Sequence, residues 1–221
     1  MHTKITQEIW QVGGDSLTSH EDAAIYIIYF EDQAALIDAG TGREHKRLIA
    51  NIKSCDVEIC QIKYLFLTHC HFDHVGGAQK VREECNCQIV AHELDVVYLE
   101  EGDSDVTAAR WYGKTLKPLR IDYAITSFEE LFLIGNRRIT SFHTPGHSPG
   151  SVVYLVESEG KKILFGQDVH GPLDPSLLSN QKDYKKSLQF LLSLKIDILC
   201  EGHFGIFEGK REIQSFIQSF L

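Results

Sequence analysis

The sequence predicts a mixed α and β fold in which helices pack outside β-sheets. Short apolar runs bounded by Gly, Pro and other turn residues occupy the first part of the chain. Similar runs then alternate with segments whose apolar residues recur every three or four positions. Strands in succession, followed by alternating strands and helices, are typical of sheets covered by helices. A chain of 221 residues, 43% of them apolar, can bury one sizeable core, so we expect residues 1–221 to form a single domain.

The individual elements follow from apolar spacing and from the turn residues between them. Strands are predicted at residues 9–12, 24–30, 34–38, 64–67, 88–91, 131–134, 138–142, 152–156, 163–165 and 196–200. Helices are predicted at residues 44–54, 76–84, 92–101, 106–116, 183–194 and 210–221. The helix at 106–116 depends on the spacing of apolar residues from Val106 to Leu116, and it ends before Pro118 because proline interrupts a helix.

Charge and composition exclude some partners. The chain has 22 basic and 31 acidic residues, a formal charge of −9 that repels nucleic acid and anionic membrane surfaces. No apolar run is long enough to span a bilayer, and residues 1–11 lack the pattern of a secretory signal, so we expect a cytoplasmic protein. Six cysteines in such a chain are expected to stay reduced. The expected partner is a small-molecule substrate, and the sequence carries no signal for an oligomeric state.

A dense group of metal-binding side chains follows the strand predicted at 64–67. Within residues 69–74, His69, His71, Asp73 and His74 supply three imidazoles and a carboxylate. In an extended backbone, alternate side chains point to the same side, so the first three are expected to converge. His74 comes one step later and is expected to turn into the next helix. Imidazole nitrogen and carboxylate oxygen suit zinc, iron and related ions.

Three further candidate ligands lie at other predicted strand ends. His147 lies in a loop fixed by Pro and Gly on both sides, Asp168 follows the strand at 163–165, and His203 follows the strand at 196–200. A carboxylate such as Asp168 can bridge two cations with its two oxygens. His143, at the start of the same loop as His147, is interpreted as a supporting residue. Because separate strand ends meet at one edge of a sheet, these side chains are expected to form one site.

The ordered motifs resemble those of the metallo-β-lactamase superfamily. They are HxHxDH at 69–74, TPGHSPGS around His147, GQD ending at Asp168 and EGH ending at His203, and Asp38 in IDAG matches the earliest motif. The resemblance spans residues 25–203. It implies the α+β class and an αββα four-layer sandwich, with two central sheets and helices outside.

The resemblance also implies two divalent metal ions, with zinc preferred and iron or manganese as alternatives. It assigns two sets of three ligands and one bridge: His69, His71 and His147 for the first ion, Asp73, His74 and His203 for the second, and Asp168 between them. The implied chemistry is hydrolysis by a metal-bridging hydroxide. Asp73 is expected to be catalytic as well, by orienting the attacking water.

The substrate is left open among several branches of this superfamily. Glyoxalase II enzymes are similar in the THxHxDHxGG and TPGHSPGS stretches, but they carry a helical carboxy-terminal domain that binds glutathione. Because only 18 residues follow His203 here, glutathione thioesters are not expected as the specific substrates. The presence of Asp168 argues against true β-lactamases, and the acidic charge argues against nucleases. Three hypotheses remain: a hydrolase of a thioester, lactone or other ester, a mononuclear iron oxygenase resembling persulfide dioxygenases, and a metal-binding protein without turnover.

A helical insertion at 92–117 is expected to act as a lid over the site. Trp111 lies off the apolar stripe of the helix predicted at 106–116 and is therefore free to face a ligand. Loop 171–183 follows Asp168 directly and is expected to form the opposite wall. The candidate substrate contacts are Trp111, Tyr112, Pro172, Leu173 and Tyr184.

Overall fold

A computed structural model of the protein describes residues 1–166 and 168–221. Its first sheet has seven strands in sequential order, of which the first four run antiparallel and the last four run parallel. The strands are β1 (Thr3–Lys4), β2 (Ile9–Gly13), β3 (Ile25–Phe30), β4 (Gln33–Ile37), β5 (Ile62–Phe66), β6 (Gln88–His92) and β7 (Tyr123–Ile125). The parallel strands β4 to β7 direct their carboxyl ends to the same edge, where ligand-binding loops commonly gather.

The second sheet has six strands in the order β13-β12-β11-β10-β9-β8. The strands are β8 (Glu129–Ile134), β9 (Arg137–His143), β10 (Val152–Ser158), β11 (Lys161–Phe165), β12 (Ile198–Cys200) and β13 (Ile206–Glu208). Strands β11 and β12 pair in parallel, with Phe165 opposite Cys200. The segments that follow these two strands therefore leave the sheet side by side.

Helices cover the outer faces of both sheets. They are α1 (His45–Lys53), α2 (Phe72–Val75), α3 (Ala78–Cys85), α4 (Glu93–Glu101), α5 (Gln181–Ser193) and α6 (Lys210–Gln218). One apolar cluster joins α1, α3 and α4 to the first sheet, a second fills the space between the sheets, and a third joins α5 and α6 to the second sheet. The four layers confirm the predicted αββα sandwich. Among the described residues, no helix is both long and apolar enough to cross a membrane.

Two buried tyrosines connect the sheets next to the candidate site. The Tyr154 hydroxyl donates to the carbonyl oxygen of Leu67 at 2.9 Å, directly before the first histidine motif. The Tyr26 hydroxyl donates to the carbonyl oxygen of Glu201, also at 2.9 Å. Each ring spans the apolar layer between the sheets, and its polar end satisfies a buried carbonyl that would otherwise be costly to bury. The loops that carry His69 and His203 are thus anchored across the core.

The helix predicted at 106–116 is wrong. Only a 3-10 turn forms there, at Ala109–Tyr112. Ala108 and Gly113, on either side of it, adopt left-handed backbone with φ of 56° and 64°, which an α-helix cannot contain. The short strands β1, β7 and β13 were not predicted either, since two or three residues are too few to show alternation.

The extended backbone predicted through the first histidine motif is also wrong beyond His71. Asp73 and His74 lie in the short helix α2, for which His71 is the residue before the first turn. Asp73 therefore does not point inward by strand alternation. The loop after β5 and the start of α2 bring it to the same site by a different route.

Candidate metal centre

Seven side chains from four separate segments converge at the edge formed by the carboxyl ends of the parallel strands. His69, His71, Asp73 and His74 come from the β5–α2 segment, His147 from the β9–β10 loop, Asp168 from the segment after β11, and His203 from the β12–β13 loop. Six of them are buried. Gln167, within the GQD sequence, lies outside the described residues.

Three groups of possible ligands form here: two triads that share no residue, and a third group, His69, His74 and Asp168, that links them. The ligand atoms of the first triad, His69, His71 and His147, lie within 4.8 Å of one another, and so do those of the second triad, Asp73, His74 and His203. In the first triad, Nε2 of His69 is 3.2 Å from Nε2 of His147. In the second, Nε2 of His203 is 3.1 Å from Oδ2 of Asp73.

Asp168 lies between the two triads. Its Oδ2 is 3.4 Å from Nε2 of His147 and 3.4 Å from Nε2 of His203, and its Oδ1 is 3.1 Å from Nε2 of His74. One carboxylate thus contacts both groups of ligands. Gly202 is required beside it, because a Cβ atom at this position would come within 2.3 Å of Oδ1 of Asp168.

Three of the candidate imidazoles, those of His69, His74 and His147, are held by hydrogen bonds on their Nδ1 side. His74 Nδ1 donates to Oδ2 of Asp38 at 2.7 Å, and His147 Nδ1 donates to the carbonyl oxygen of Pro172 at 2.9 Å. His69 Nδ1 lies 3.0 Å from the hydroxyl of Thr68, which itself donates to Asp38. Such bonds fix the tautomer of a metal-ligating histidine and leave Nε2 free for a cation.

Burial and neighbouring charges divide the histidines into two classes. Burial, followed by the neighbouring imidazoles, lowers the pKa of His69 and His71 well below the usual value, so both are neutral, the form that binds metals. Burial also opposes the charge on His74 and His203. The nearby carboxylates, above all Asp168, outweigh this effect of burial. They raise the pKa of His74 well above its usual value and the pKa of His203 to about 10. The second triad therefore favours positive charge.

This arrangement fits divalent cations. Among the described residues, Nε2 of His71, Nε2 of His74 and Oδ1 of Asp168 are buried without a hydrogen-bond partner. Unsatisfied buried polar atoms are costly, and in this cluster all of them belong to residue types that bind zinc and related ions. The nitrogen and oxygen donors also match the preference of these ions.

A cavity of about 200 Å³ opens onto the candidate ligands. Beyond the ligands, it is lined by Ala108, Trp111, Tyr112, His170, Pro172 and Leu177. Trp111, with 56% of its surface exposed, lies at the wall as expected, together with Tyr112 and Pro172. Burial and the charge of Asp73 raise the pKa of Tyr112, so its hydroxyl stays protonated and can donate a hydrogen bond.

Two predicted wall residues lie elsewhere. Leu173 packs against the apolar cluster beneath α5, and Tyr184 is buried in that cluster with its hydroxyl donating to the carbonyl oxygen of Val169. The reason is that α5 packs directly onto the His147 loop, where a Cβ at Gly146 would come within 2.2 Å of the Tyr184 nitrogen. Leu177 takes the expected place of Leu173 on the cavity wall. His143 is also outside the cavity, stacked on His92 with ring centroids 3.7 Å apart.

Sequence reasoning missed three polar residues around the site. His170 lines the cavity, Glu201 is fully buried behind it, and Asp95 is buried behind the first triad. A histidine two positions after Asp168 and an acidic residue two positions before His203 were visible signals. Asp95 had no such signal, because it lies in a helix remote in sequence from every motif.

Sequence relatives include an acyl-coenzyme A thioesterase, a hydroxyacylglutathione hydrolase and a probable metallo-hydrolase. Acyl-coenzyme A thioesterase MBLAC2 of Gallus gallus is 27% identical over 217 residues, covering 86% of this chain and 75% of that protein. Hydroxyacylglutathione hydrolase GloC of Haemophilus influenzae is 31% identical over 139 residues, covering 63% and 62%. Probable metallo-hydrolase YqgX of Bacillus subtilis is 34% identical over 136 residues, covering 61% of each chain.

Solved structures and a family profile agree on the fold. A metallo-beta-lactamase from Cronobacter sakazakii superposes with a TM-score of 0.83 at 20% identity, covering 100% of this chain and 93% of that one. The subclass B3 enzyme BJP-1 of Bradyrhizobium japonicum gives a TM-score of 0.80 at 22% identity, covering 99% and 90%. The profile of the Metallo-beta-lactamase superfamily matches residues 21–203. Since this match includes all seven candidate ligands, the chain belongs to the metallo-beta-lactamase superfamily.

Proposed function

We propose that the protein is a dinuclear metal-dependent hydrolase that cleaves a thioester, lactone or other ester of a small molecule. The observation that carries this proposal is the pair of triads that meet at Asp168. The names of the two relatives that act on thioesters, MBLAC2 and GloC, favour a thioester among these substrates. The six free cysteines favour a reducing compartment, and we infer a cytoplasmic location.

The first triad with Asp168 would hold one cation, and the second triad with Asp168 would hold the other. Zinc is the preferred ion because every donor is an imidazole or a carboxylate, and iron or manganese would be accepted by the same donors. Bound at these positions, such cations lower the pKa of water and polarise a carbonyl oxygen.

The protein's own groups would orient the reactants. Asp73 lines the cavity, and its carboxylate would accept a hydrogen bond from the attacking water. The water oxygen forms a bond to the acyl carbon, the carbon–sulfur bond of the thioester breaks, and the departing thiolate takes up the proton that the water loses. Tyr112, whose hydroxyl stays protonated beside Asp73, is a candidate donor to the substrate.

The cavity walls would select a small acyl group. Trp111 and Leu177 supply apolar surface to the cavity. Pro172 also lines the cavity, and its carbonyl oxygen accepts the hydrogen bond from Nδ1 of His147. Helix α4 and the 3-10 turn carrying Trp111 lie within residues 92–117, which we propose as a cover over the site. A volume of about 200 Å³ accommodates a short acyl chain and leaves the thiol portion of a substrate outside.

Metal analysis combined with a substrate panel tests the proposal. The purified protein should contain close to two equivalents of zinc, iron or manganese per chain and should hydrolyse at least one short-chain acyl thioester or lactone, with loss of activity on chelation. A single iron with oxygen consumption would instead indicate the oxygenase. Metal binding without turnover of any thioester, ester or lactone would indicate a binding protein.

A further inference from the structure

Asp95, on the inner face of α4, is fully buried between the two loops that carry the first triad. Its Oδ2 accepts a hydrogen bond from the backbone nitrogen of Cys70 at 2.9 Å and another from the hydroxyl of Ser148 at 2.8 Å. Its Oδ1 accepts one from the backbone nitrogen of Gly150 at 2.7 Å. A carboxylate this deeply buried requires such donors, because its desolvation is otherwise too costly.

These contacts lie directly beside the ligands of the first triad. Cys70 separates His69 from His71, and Ser148 follows His147 in the chain. The fit is close, because a Cβ atom at Gly150 would come within 2.6 Å of Cγ of Asp95. One carboxylate therefore links the backbone of both ligand segments, which are 78 residues apart between His69 and His147.

The second triad is held differently. Asp38 accepts hydrogen bonds from the backbone nitrogen and the hydroxyl of Thr68 and from Nδ1 of His74. Among the residues that the structure describes, Asp95 accepts hydrogen bonds from Cys70, Ser148 and Gly150, none of which belongs to the second triad. Asp38 thus stands directly behind His74 and, through Thr68, also behind His69, whereas the contacts of Asp95 lie beside the first triad alone.

We infer that Asp95 is a positioning residue for the first triad, where it sets the metal affinity of His69, His71 and His147 independently of the second triad. This inference rests on the proposed metal centre. Replacing Asp95 with Asn puts an amide donor against the backbone N–H of either Cys70 or Gly150, so at least one of these bonds is lost and the two loops separate. Loss of an outer partner of a metal site typically weakens metal binding about 10- to 100-fold.

Each triad can be measured separately in the full-length chain. His203→Ala leaves the first triad intact, and His147→Ala leaves the second. The zinc affinity of each parent is measured by competition with a coloured chelator, with and without Asp95→Asn. We expect Asp95→Asn to weaken zinc binding about 10- to 100-fold in the His203→Ala protein and to leave it nearly unchanged in the His147→Ala protein.

Equal weakening in both parents would reveal a general structural role and overturn the inference, as would no change in either. If neither parent binds zinc, the metal centre itself is wrong and the inference falls with it. Asp122→Asn is the matched control, since Asp122 also accepts backbone and side-chain bonds, from Ile89 and Arg82, but away from the cluster. Zinc affinity in both parents should be unchanged by it.

Ser148→Ala provides a second test if Asp95→Asn does not fold. This substitution removes the hydroxyl that donates to Asp95 from the His147 loop, and it leaves the Asp95 carboxylate in place. Zinc binding by the first triad should weaken by a smaller factor, with far-ultraviolet circular dichroism unchanged. Undiminished affinity in a folded Ser148→Ala protein would contradict the inference.

Discussion

Nδ1 of His170 lies 2.9 Å from Oε1 of Glu201, at the wall of the cavity that contains the candidate metal ligands. Oε2 of the same carboxylate accepts hydrogen bonds from the backbone nitrogens of His203, at 2.7 Å, and Phe204, at 2.8 Å. Because a carboxylate oxygen only accepts hydrogen bonds, Nδ1 of His170 is the donor in its contact with Glu201. Glu201 thereby orients both the imidazole of His170, which lines the cavity, and the loop that carries His203.

Replacing His170 with Ala should lower kcat/KM for the substrate by up to about tenfold, because one hydrogen bond contributes about 1.4 kcal/mol or less. Metal content should not change, since His170 belongs to neither triad. Steady-state kinetics and elemental analysis of the purified proteins measure the two quantities. His45→Ala is the control, because His45 also faces a glutamate, Glu84 at 3.9 Å, but outside the cavity. Unchanged kcat/KM in His170→Ala would remove this residue from the substrate site.

Replacing Asp168 with Asn, or His69 with Ala, should remove bound metal and abolish activity while the chain remains folded. The three apolar clusters exist apart from the ligands, and they supply the burial that stabilises the sheets. Elemental analysis, hydrolysis assays and circular dichroism of each variant provide the measurements. Near-normal turnover in a metal-depleted Asp168→Asn protein would contradict the proposed function.

Replacing Trp111 with Ala should lower kcat/KM about tenfold, since burial of part of a large aromatic side chain against a substrate contributes on the order of 1.5 kcal/mol. Metal content and melting temperature should hardly change, because the side chain is 56% exposed. Phe128→Ala is the matched control, with equal exposure outside this cavity. If kinetics are unaffected across several substrates, Trp111 does not contact them.

His92 should make stability depend on pH below neutrality. Burial, then the stacked ring of His143, lowers its pKa from 6.5 to about 4, and its Nδ1 accepts the N-cap hydrogen bond from Leu94. The unfolded chain binds this proton more readily, so the stabilisation is present above pH 6.5 and is lost as pH falls toward 4. The difference between the two pKa values corresponds to at most about 3 kcal/mol of stability.

Urea unfolding of chelator-treated protein between pH 4 and 7 measures this effect. His92→Asn keeps a capping side chain that does not titrate, so its free energy of unfolding should fall less steeply over this range. His69, His71, His74 and His147 are present in both proteins, so the comparison isolates the substitution at His92. Parallel pH profiles for the two proteins would show that His92 is not the group responsible.

The motif residues could be predicted because several metal-binding side chains lie within a few positions of one another in the sequence. Three histidines and an aspartate within residues 69–74 have few interpretations other than metal binding, and the order of the later motifs identified the family. Strands with clear apolar runs, such as β3 and β10, were found because their pattern reflects burial between two layers.

The failures arose where local pattern and tertiary packing disagree. The apolar residues between Val106 and Leu116 recur at helical spacing, yet the segment forms only a 3-10 turn with left-handed backbone on both sides. Its apolar side chains still pack into the core of the first sheet. Tyr184 follows the Asp168 loop in sequence, but α5 turns it into the core and Leu177 lines the cavity instead. Sequence proximity does not specify which face of a loop is exposed.

By itself, the sequence determined the identity of the candidate ligands and the family, since both depend on residue types in a fixed order. The tertiary structure alone decided which buried carboxylate stands behind each imidazole: Asp38 behind His74, Asp95 behind the loops of His69 and His147, and Glu201 behind His170. The physical reason is that a hydrogen bond requires only proximity in space. Asp95 and Ser148 are 53 residues apart in the chain, and nothing in their local sequence records that a folded sandwich brings them to 2.8 Å.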